Sequence, residues 1–172
     1  MGAHVNFDLS QYREFFQKMS TVAKDGFKKD AALWLDAIGN DFLRVVEEEI
    51  IKREVVDTRL LLHSFHKGSD GNVWELDLDG LTIEVGTSVE YADYVNSGHW
   101  TNPKGQSGRW IPGSWDGDRF IYQPGAKTGM FLKQKWVPGK HYFDSALRAY
   151  EKIFQTSLEK KLEEWVETHF GG

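Results

Sequence analysis

The sequence predicts an α+β fold: an antiparallel sheet packed against long N-terminal and C-terminal helices, with a long loop or hairpin insertion. Three observations predict it. Apolar residues recur every three or four positions over long stretches near both ends of the chain. In the middle, Asp79-Gly80 is flanked by alternating apolar and polar residues, the pattern of a tight hairpin. Residues 99–141 are broken repeatedly by glycine and proline, and their charge opposes that of everything around them. At 172 residues the chain suits one domain, 1–172, large enough to bury a core, with 99–141 as an insertion within it.

Taken in order, Asp8 followed by Gln11 resembles a capping box, and Tyr12, Phe15, Phe16, Met19, Val22 and Ala23 continue at helical spacing. Asp25-Gly26 marks a break. A longer helix follows, with Phe27, Ala31, Trp34, Ile38, Phe42, Val45 or Val46, and Ile50 on its buried face. Asp57-Thr58 restarts the chain as the cap of a short helix through Leu60, Leu61, Leu62 and Phe65. Residues 73–78 and 81–85 read as the two hairpin strands, one face wet and one buried. Val89, Ala92 and Val95 are spaced for a short helix ended by Ser97-Gly98. From Tyr142, a three-and-four spacing through Phe143, Leu147, Tyr150, Phe154, Leu158, Leu162 and Trp165 predicts a last helix lying across the buried face of the sheet.

The insertion is predicted to carry strands at 119–123 and 130–137, paired as an extended hairpin. Seven basic residues (Lys104, Arg109, Arg119, Lys127, Lys133, Lys135, Lys140) face only Asp116 and Asp118, a net charge of +5. Residues 1–98 carry −8 and residues 142–172 carry −2. Four of the seven tryptophans, Trp100, Trp110, Trp115 and Trp136, also lie in this stretch. A loop this long without a core of its own is usually functional or disordered, and the aromatics argue against disorder. A basic, aromatic arm on an acidic body suits contact with another copy of that body or with a polyanion.

Composition narrows the chemistry. There is no cysteine, which excludes disulfides and thiolate metal sites. No apolar run approaches the roughly 20 residues of a membrane span, and no signal sequence opens the chain. A net charge of −5 argues against general nucleic-acid coating, although a local basic arm can still face DNA. His63 and His66, near Asp57, are a weak metal pair better read as surface histidines, and no HExxH pattern exists. Asp93 and His99 flank a helix end, where capping is the simpler reading. Neither a Gly-x-Ser-x-Gly elbow nor a Gly-Lys-Ser/Thr phosphate loop is present. Catalysis therefore has no positive signal, and no cofactor or metal is implied. The insertion's tryptophans have three readings: anchors buried against a neighbouring subunit, platforms that stack on sugars or bases, or pins that hold the loop to its own body.

Two stretches carry a family resemblance. Val56-Asp57-Thr58 followed by Leu61 and Ser64 is similar to Pro-Val-Asp-Thr-Gly-x-Leu-x-x-Ser. The run Val85-Gly86-Thr87-Ser88-Val89-Glu90-Tyr91-Ala92-Asp93-Tyr94-Val95, followed by Gly98, is similar to Val-Gly-Thr-x-Val-x-Tyr-Ala-x-Tyr-Val-x-x-Gly. A weaker echo begins the last helix at His141-Tyr142-Phe143. Together these blocks resemble the small phage tail-component proteins of the head–tail junction, the neck or tail-completion type of long-tailed phages and defective prophages. Arg59 stands where that family commonly has glycine, Val55 where it has proline, and Asp93 where proline is frequent.

The resemblance implies a structural virion protein, not an enzyme. It implies a homo-oligomeric ring, of six copies, between the head connector and the tail-tube or tail-terminator proteins. DNA would pass through the lumen with at most non-specific contact, no membrane would be involved, and assembly would occur in the host cytoplasm before the protein enters the virion. On this reading Trp100, Arg109, Trp110, Trp115, Arg119, Phe120 and Tyr122 are the candidate interface. Asp57, Thr58, Leu61, Ser64, Gly86, Thr87, Tyr91, Ala92, Tyr94 and Gly98 are motif residues that shape the fold beneath. The alternative is a carbohydrate- or nucleic-acid-binding module that uses the same aromatic insertion.

Overall fold

A computed structural model describes residues 2–23, 25–55, 59–77, 79, 81–102 and 105–171. The fold is α+β, as the sequence predicts. The described chain divides into two compact units, one formed by residues 1–96 and 140–172 and the other by residues 97–139.

The larger unit begins with strand β1 (Ala3–Asp8), a six-residue strand that the sequence reading missed because it runs directly into the helical pattern read from Asp8. Asp8 caps no helix. It ends β1 and accepts a 2.7 Å hydrogen bond from the Ser10 amide, turning the chain through a 3-10 turn at Ser10–Tyr12 into α1 (Arg13–Ala23). Helix α2 (Asp25–Lys52) follows, then the short α3 (Arg59–Ser64). The predicted Asp57-Thr58 cap lies outside the described residues. Strands β2 (Asn72–Asp77) and β3 (Thr82–Thr87) form the expected antiparallel hairpin, with Trp74 opposite Val85 and Leu76 opposite Ile83. Leu78 and Gly80 of its turn are also outside the described residues. β1 pairs with the other edge of β3, setting Val5 opposite Val85, so β3 is the centre of a three-stranded sheet. Helices α4 (Ala92–Ser97) and α5 (Tyr142–Phe170) complete the elements that bound this unit.

Helix α2, rather than α5, lies closest against the sheet. A β-carbon added at Gly39 would come within 3.0 Å of the Trp74, Ile83 and Val85 side chains, so the helix approaches the strands at a residue with no side chain. α5 packs along α2 instead and meets the sheet mainly through Phe7 of β1, whose ring contacts Tyr150 and Phe154. Tyr150 donates its hydroxyl to the Ile38 carbonyl at 3.0 Å, tying the two long helices together where both are buried. Further along, Trp165 of α5 meets Phe16 and Phe27 edge-on and donates its indole N–H to Asp30. No helix among the described residues is long and apolar enough to cross a membrane.

The ends of residues 97–139 are fixed within the larger unit. The Lys140 amide donates to the Val95 carbonyl and the His141 amide to the Asn96 carbonyl, at 2.8 and 2.9 Å. His141 sits at the cap position of α5 with a left-handed backbone and makes no capping bond of its own. Asn96 supplies the cap across the intervening residues: its Oδ1 accepts from the Phe143 and Asp144 amides, and its Nδ2 donates to Asp144 Oδ1 at 3.0 Å. Arg53 adds a second tie, donating to the Lys140 carbonyl and the Ser145 hydroxyl. Burial opposes ionisation of Asp144, but hydrogen bonds from Asn96 and His141 and the charge of Arg148 outweigh it and hold its carboxyl below the usual range.

Three outcomes follow from this packing. Asn96→Ala strands buried helix-end amides and is expected to cost about 2 kcal/mol, read as a lower urea midpoint of the full chain. Gly39→Leu overfills the helix–sheet contact and is expected to cost about 2 kcal/mol despite the better helix propensity of leucine. Because the folded pKa of Asp144 is depressed, its contribution is complete above the ordinary value of 3.8 and lost as pH falls through the folded value. Thermal melts of wild type and Asp144→Asn should therefore differ fully above about pH 4 and converge only as pH falls through the depressed folded value.

Candidate assembly interface

Residues 97–139 form ribbons rather than a packed layer. Strand β4 (Gly98–Trp100) pairs with β8 (Trp136–Pro138), and Trp100 stands opposite Trp136 with ring centroids 5.4 Å apart. Strand β5 (Gly108–Asp116) pairs along residues 108–112 with β7 (Gly129–Lys133) and along 113–116 with β6 (Arg119–Tyr122). The predicted strands at 119–123 and 130–137 are therefore present in part. They do not pair with each other, because both take β5 as their neighbour and the second is split into β7 and β8. Sequence reading missed β5 because Gly108, Pro112 and Gly113 look like breaks. In the structure Pro112-Gly113 is where β5 exchanges one partner for the other, a position where proline's missing N–H does no harm.

The glycines of these ribbons hold aromatic rings. A β-carbon at Gly108 would strike the Phe131 ring, one at Gly129 the Trp110 ring, one at Gly113 the Phe120 ring, and one at Gly98 the Trp136 ring, all within 3.0 Å. Trp110 and Phe131 face each other across β5 and β7, and Trp115 meets Phe120 edge-on at 5.3 Å across β5 and β6. Cross-strand pairing of this kind stabilises a ribbon by fractions of a kcal/mol per pair. It does not make a core. No apolar side chain among the described residues of 97–139 is buried.

The aromatic rings stay in contact with solvent. Trp100, Trp110, Trp115 and Trp136 are 53%, 56%, 58% and 43% exposed, whereas Trp165 of α5 is 2% exposed. Of the other sequence-predicted interface residues, Tyr122, Arg109 and Arg119 are exposed and Phe120 is half-buried. The reading of these tryptophans as pins beneath their own polypeptide does not match such exposure. Phe131 and Ile121 are exposed too and escaped the sequence reading, although Phe131 and Lys133 are two apart and share the outer face of a strand. None of Arg109, Arg119, Lys127, Lys133 and Lys135 forms an ion pair with a described residue. The unit carries +4, from Lys104, Arg109, Arg119, Lys127, Lys133 and Lys135 against Asp116 and Asp118, and the remainder of the chain carries −9.

The motif residues occupy a different place. The Val89 amide donates to the Thr87 hydroxyl, which lies 2.7 Å from the Ser64 hydroxyl, which in turn donates to the Leu61 carbonyl. Leu61, Ser64, Thr87 and Ala92 are fully buried, and Asn72 bridges the carbonyls of Ser64 and Gly86. This buried chain ties α3 to the end of β3 and the start of α4. Tyr91 is half-buried, Tyr94 is exposed, and Gly98 opens β4 with a left-handed φ of 86°. Asp57 and Thr58 lie outside the described residues.

The histidine pair offers little chemistry. His63 and His66 lie side by side at 5.4 Å, and His66 is 3.4 Å from Glu47, whose carboxyl burial pushes above its usual range against the pull of both histidines. No group of three or more potential metal ligands occurs among the described residues.

Comparison with known proteins agrees with the motif blocks. Residues 13–98 match the HK97-gp10-like family of bacteriophage tail components. The chain is similar to the phage-like element PBSX protein XkdI of Bacillus subtilis strain 168, at 47% identity over 86% of this chain and 91% of the relative. It is also similar to the uncharacterized protein YqbI of the same strain, at 42% identity over 91% of this chain and 96% of the relative. No solved structure gives a significant match. With the buried Ser64–Thr87 knot inside the matched segment and two such relatives along most of its length, the chain belongs to the HK97-gp10-like family of phage tail components.

Proposed function

We propose that the chain is a structural, non-enzymatic subunit of the head–tail junction, of the neck or tail-completion type, that assembles head to tail into a ring. The observation that carries this reading is an arm, residues 97–139, whose described residues include four exposed indoles and five cations without an ion pair, and no buried apolar side chain. A closed ring needs two different, mutually complementary surfaces on each subunit, because heterologous contacts join one face to another around a cycle. An arm of +4 and a remainder of −9 provide such a pair. Trp, Tyr and Arg are also the residue types that anchor interfaces, and Trp100, Arg109, Trp110, Trp115, Arg119, Phe120 and Tyr122 supply all three.

The resemblance of the motif blocks to neck proteins supports six copies per ring and a position between the head connector and the tail-tube or tail-terminator proteins. In such a ring DNA passes through the lumen and touches the protein without sequence preference. The protein works in the virion after assembly in the host cytoplasm, without a cofactor. A second reading rests on the same exposed rings and cations: stacking on single-stranded nucleic acid or on sugars by a monomer.

The triple variant Arg109→Ala/Trp110→Ala/Trp115→Ala separates these readings. Native mass spectrometry of the purified chain, alone and with connector or tail-tube partners, is expected to show loss of oligomers while the helical far-UV circular dichroism of the larger unit is retained. Unaltered oligomerisation in the triple variant would contradict the ring reading. Quenching of tryptophan fluorescence by single-stranded DNA or glycans, with the wild-type protein monomeric throughout, would favour the second.

A further inference from the structure

The acidic residues of the larger unit are not equally available to a cationic partner. Along α2 most are answered by their own chain: Asp30 by Lys161, Asp36 by Lys67, Asp41 by Arg44, Glu47 by His66, and Glu49 by Lys52 and Arg53. The second half of α5 is different. Glu159, Glu163 and Glu167 recur every fourth residue, which places them along one outer strip of the helix. All three are exposed, and none forms an ion pair with a described residue. Beside them runs a second strip with the same spacing, Leu162, Val166 and Phe170, of which Val166 and Phe170 are exposed. Leu162, Glu163, Val166 and Glu167 line one shallow, mainly apolar groove. An apolar strip bordered by unpaired carboxylates is the complement of exposed aromatics bordered by unpaired lysines and arginines.

We propose that this outer face of α5 is the docking surface for the arm of a second copy of the chain. The proposal rests on the ring reading above and adds to it the surface that receives the arm. Indoles and the Phe131 ring of the incoming arm cover Val166 and Phe170, while Lys127, Lys133, Lys135 and Arg109 approach Glu159, Glu163 and Glu167. One copy offers the cationic face and its neighbour the anionic one, so the contact is heterologous and can repeat around a ring. The same charge pairing steers encounter and weakens with added salt.

The test mixes the full chain in unlabelled and ¹⁵N-labelled forms at high concentration and low salt, and treats it with a zero-length carbodiimide that joins lysine amines to carboxylates. Mixed-isotope cross-links are expected from Lys127, Lys133 or Lys135 to Glu159, Glu163 or Glu167. Their yield is expected to fall about tenfold in Val166→Ser/Phe170→Ser, which keeps every cross-linking group and changes only exposed side chains, and to fall similarly in high salt. Mixed-isotope cross-links from the arm only to other carboxylates would overturn the α5 surface and leave the ring reading standing. Absence of any mixed-isotope cross-link from the arm, with or without connector and tail-tube partners, would overturn both. An unchanged yield in the double variant would overturn the docking surface even if the expected pairs were found.

Discussion

A segment of 43 residues in which no described apolar side chain is buried cannot owe its order to a hydrophobic core. That constraint governs how the rest of the molecule is read. Each half of β5 has a single neighbouring strand, and isolated two-stranded ribbons are marginal in water. The ribbons compensate by laying aromatic rings over glycines, at Gly98, Gly108, Gly113 and Gly129. This arrangement fixes strand pairing while leaving large aromatic surface exposed. Exposed apolar area on that scale, edged with cations that have no ion-pair partner among the described residues, is what the proposed interface would cover.

The larger unit is built to hold such a segment by its ends. Val95 and Asn96 lie beside Lys140 and His141, and the Asn96 amide caps α5 across the whole length of the arm. Helix α5 therefore starts where it does because the chain departs and returns at one place. The Ser64–Thr87 knot performs the corresponding task one step earlier, linking α3, β3 and the approach to α4 through a run of buried hydroxyls. Both features are polar interactions inside or beside the core, where an unpaired group is costly and a satisfied one specifies a single arrangement. The matched family segment ends at residue 98, just where the arm begins.

Much of this was legible in the sequence, for identifiable reasons. The periodicity of Phe27 through Ile50 and of Phe143 through Trp165 exposed the two long helices, since each buries one stripe against the other. Alternation around residue 79 exposed β2 and β3. What escaped notice was what depends on distant partners. β1 is a six-residue strand defined only by its pairing with β3, and β5 contains a proline and two glycines that signal loop unless the change of partner at Pro112-Gly113 is known. Nothing in the residues around Asn96 signals its capping role, because that role is set by a helix that begins at residue 142. Charge asymmetry and tryptophan clustering identify the arm, but that most of α2's acids pair within their own chain while Glu159, Glu163 and Glu167 of α5 do not is set by tertiary contacts that the sequence pattern does not show.

Family membership rests on the buried motif that makes the fold, and the proposed assembly role on the exposed arm that the motif does not include. Amide hydrogen exchange across residues 108–133, compared between the free chain and intact tail particles, bears most directly on whether the arm is completed by another molecule. The account predicts rapid exchange of the ribbon amides in the free chain and exchange slowed by orders of magnitude in the particle. Equal protection in both states would contradict it.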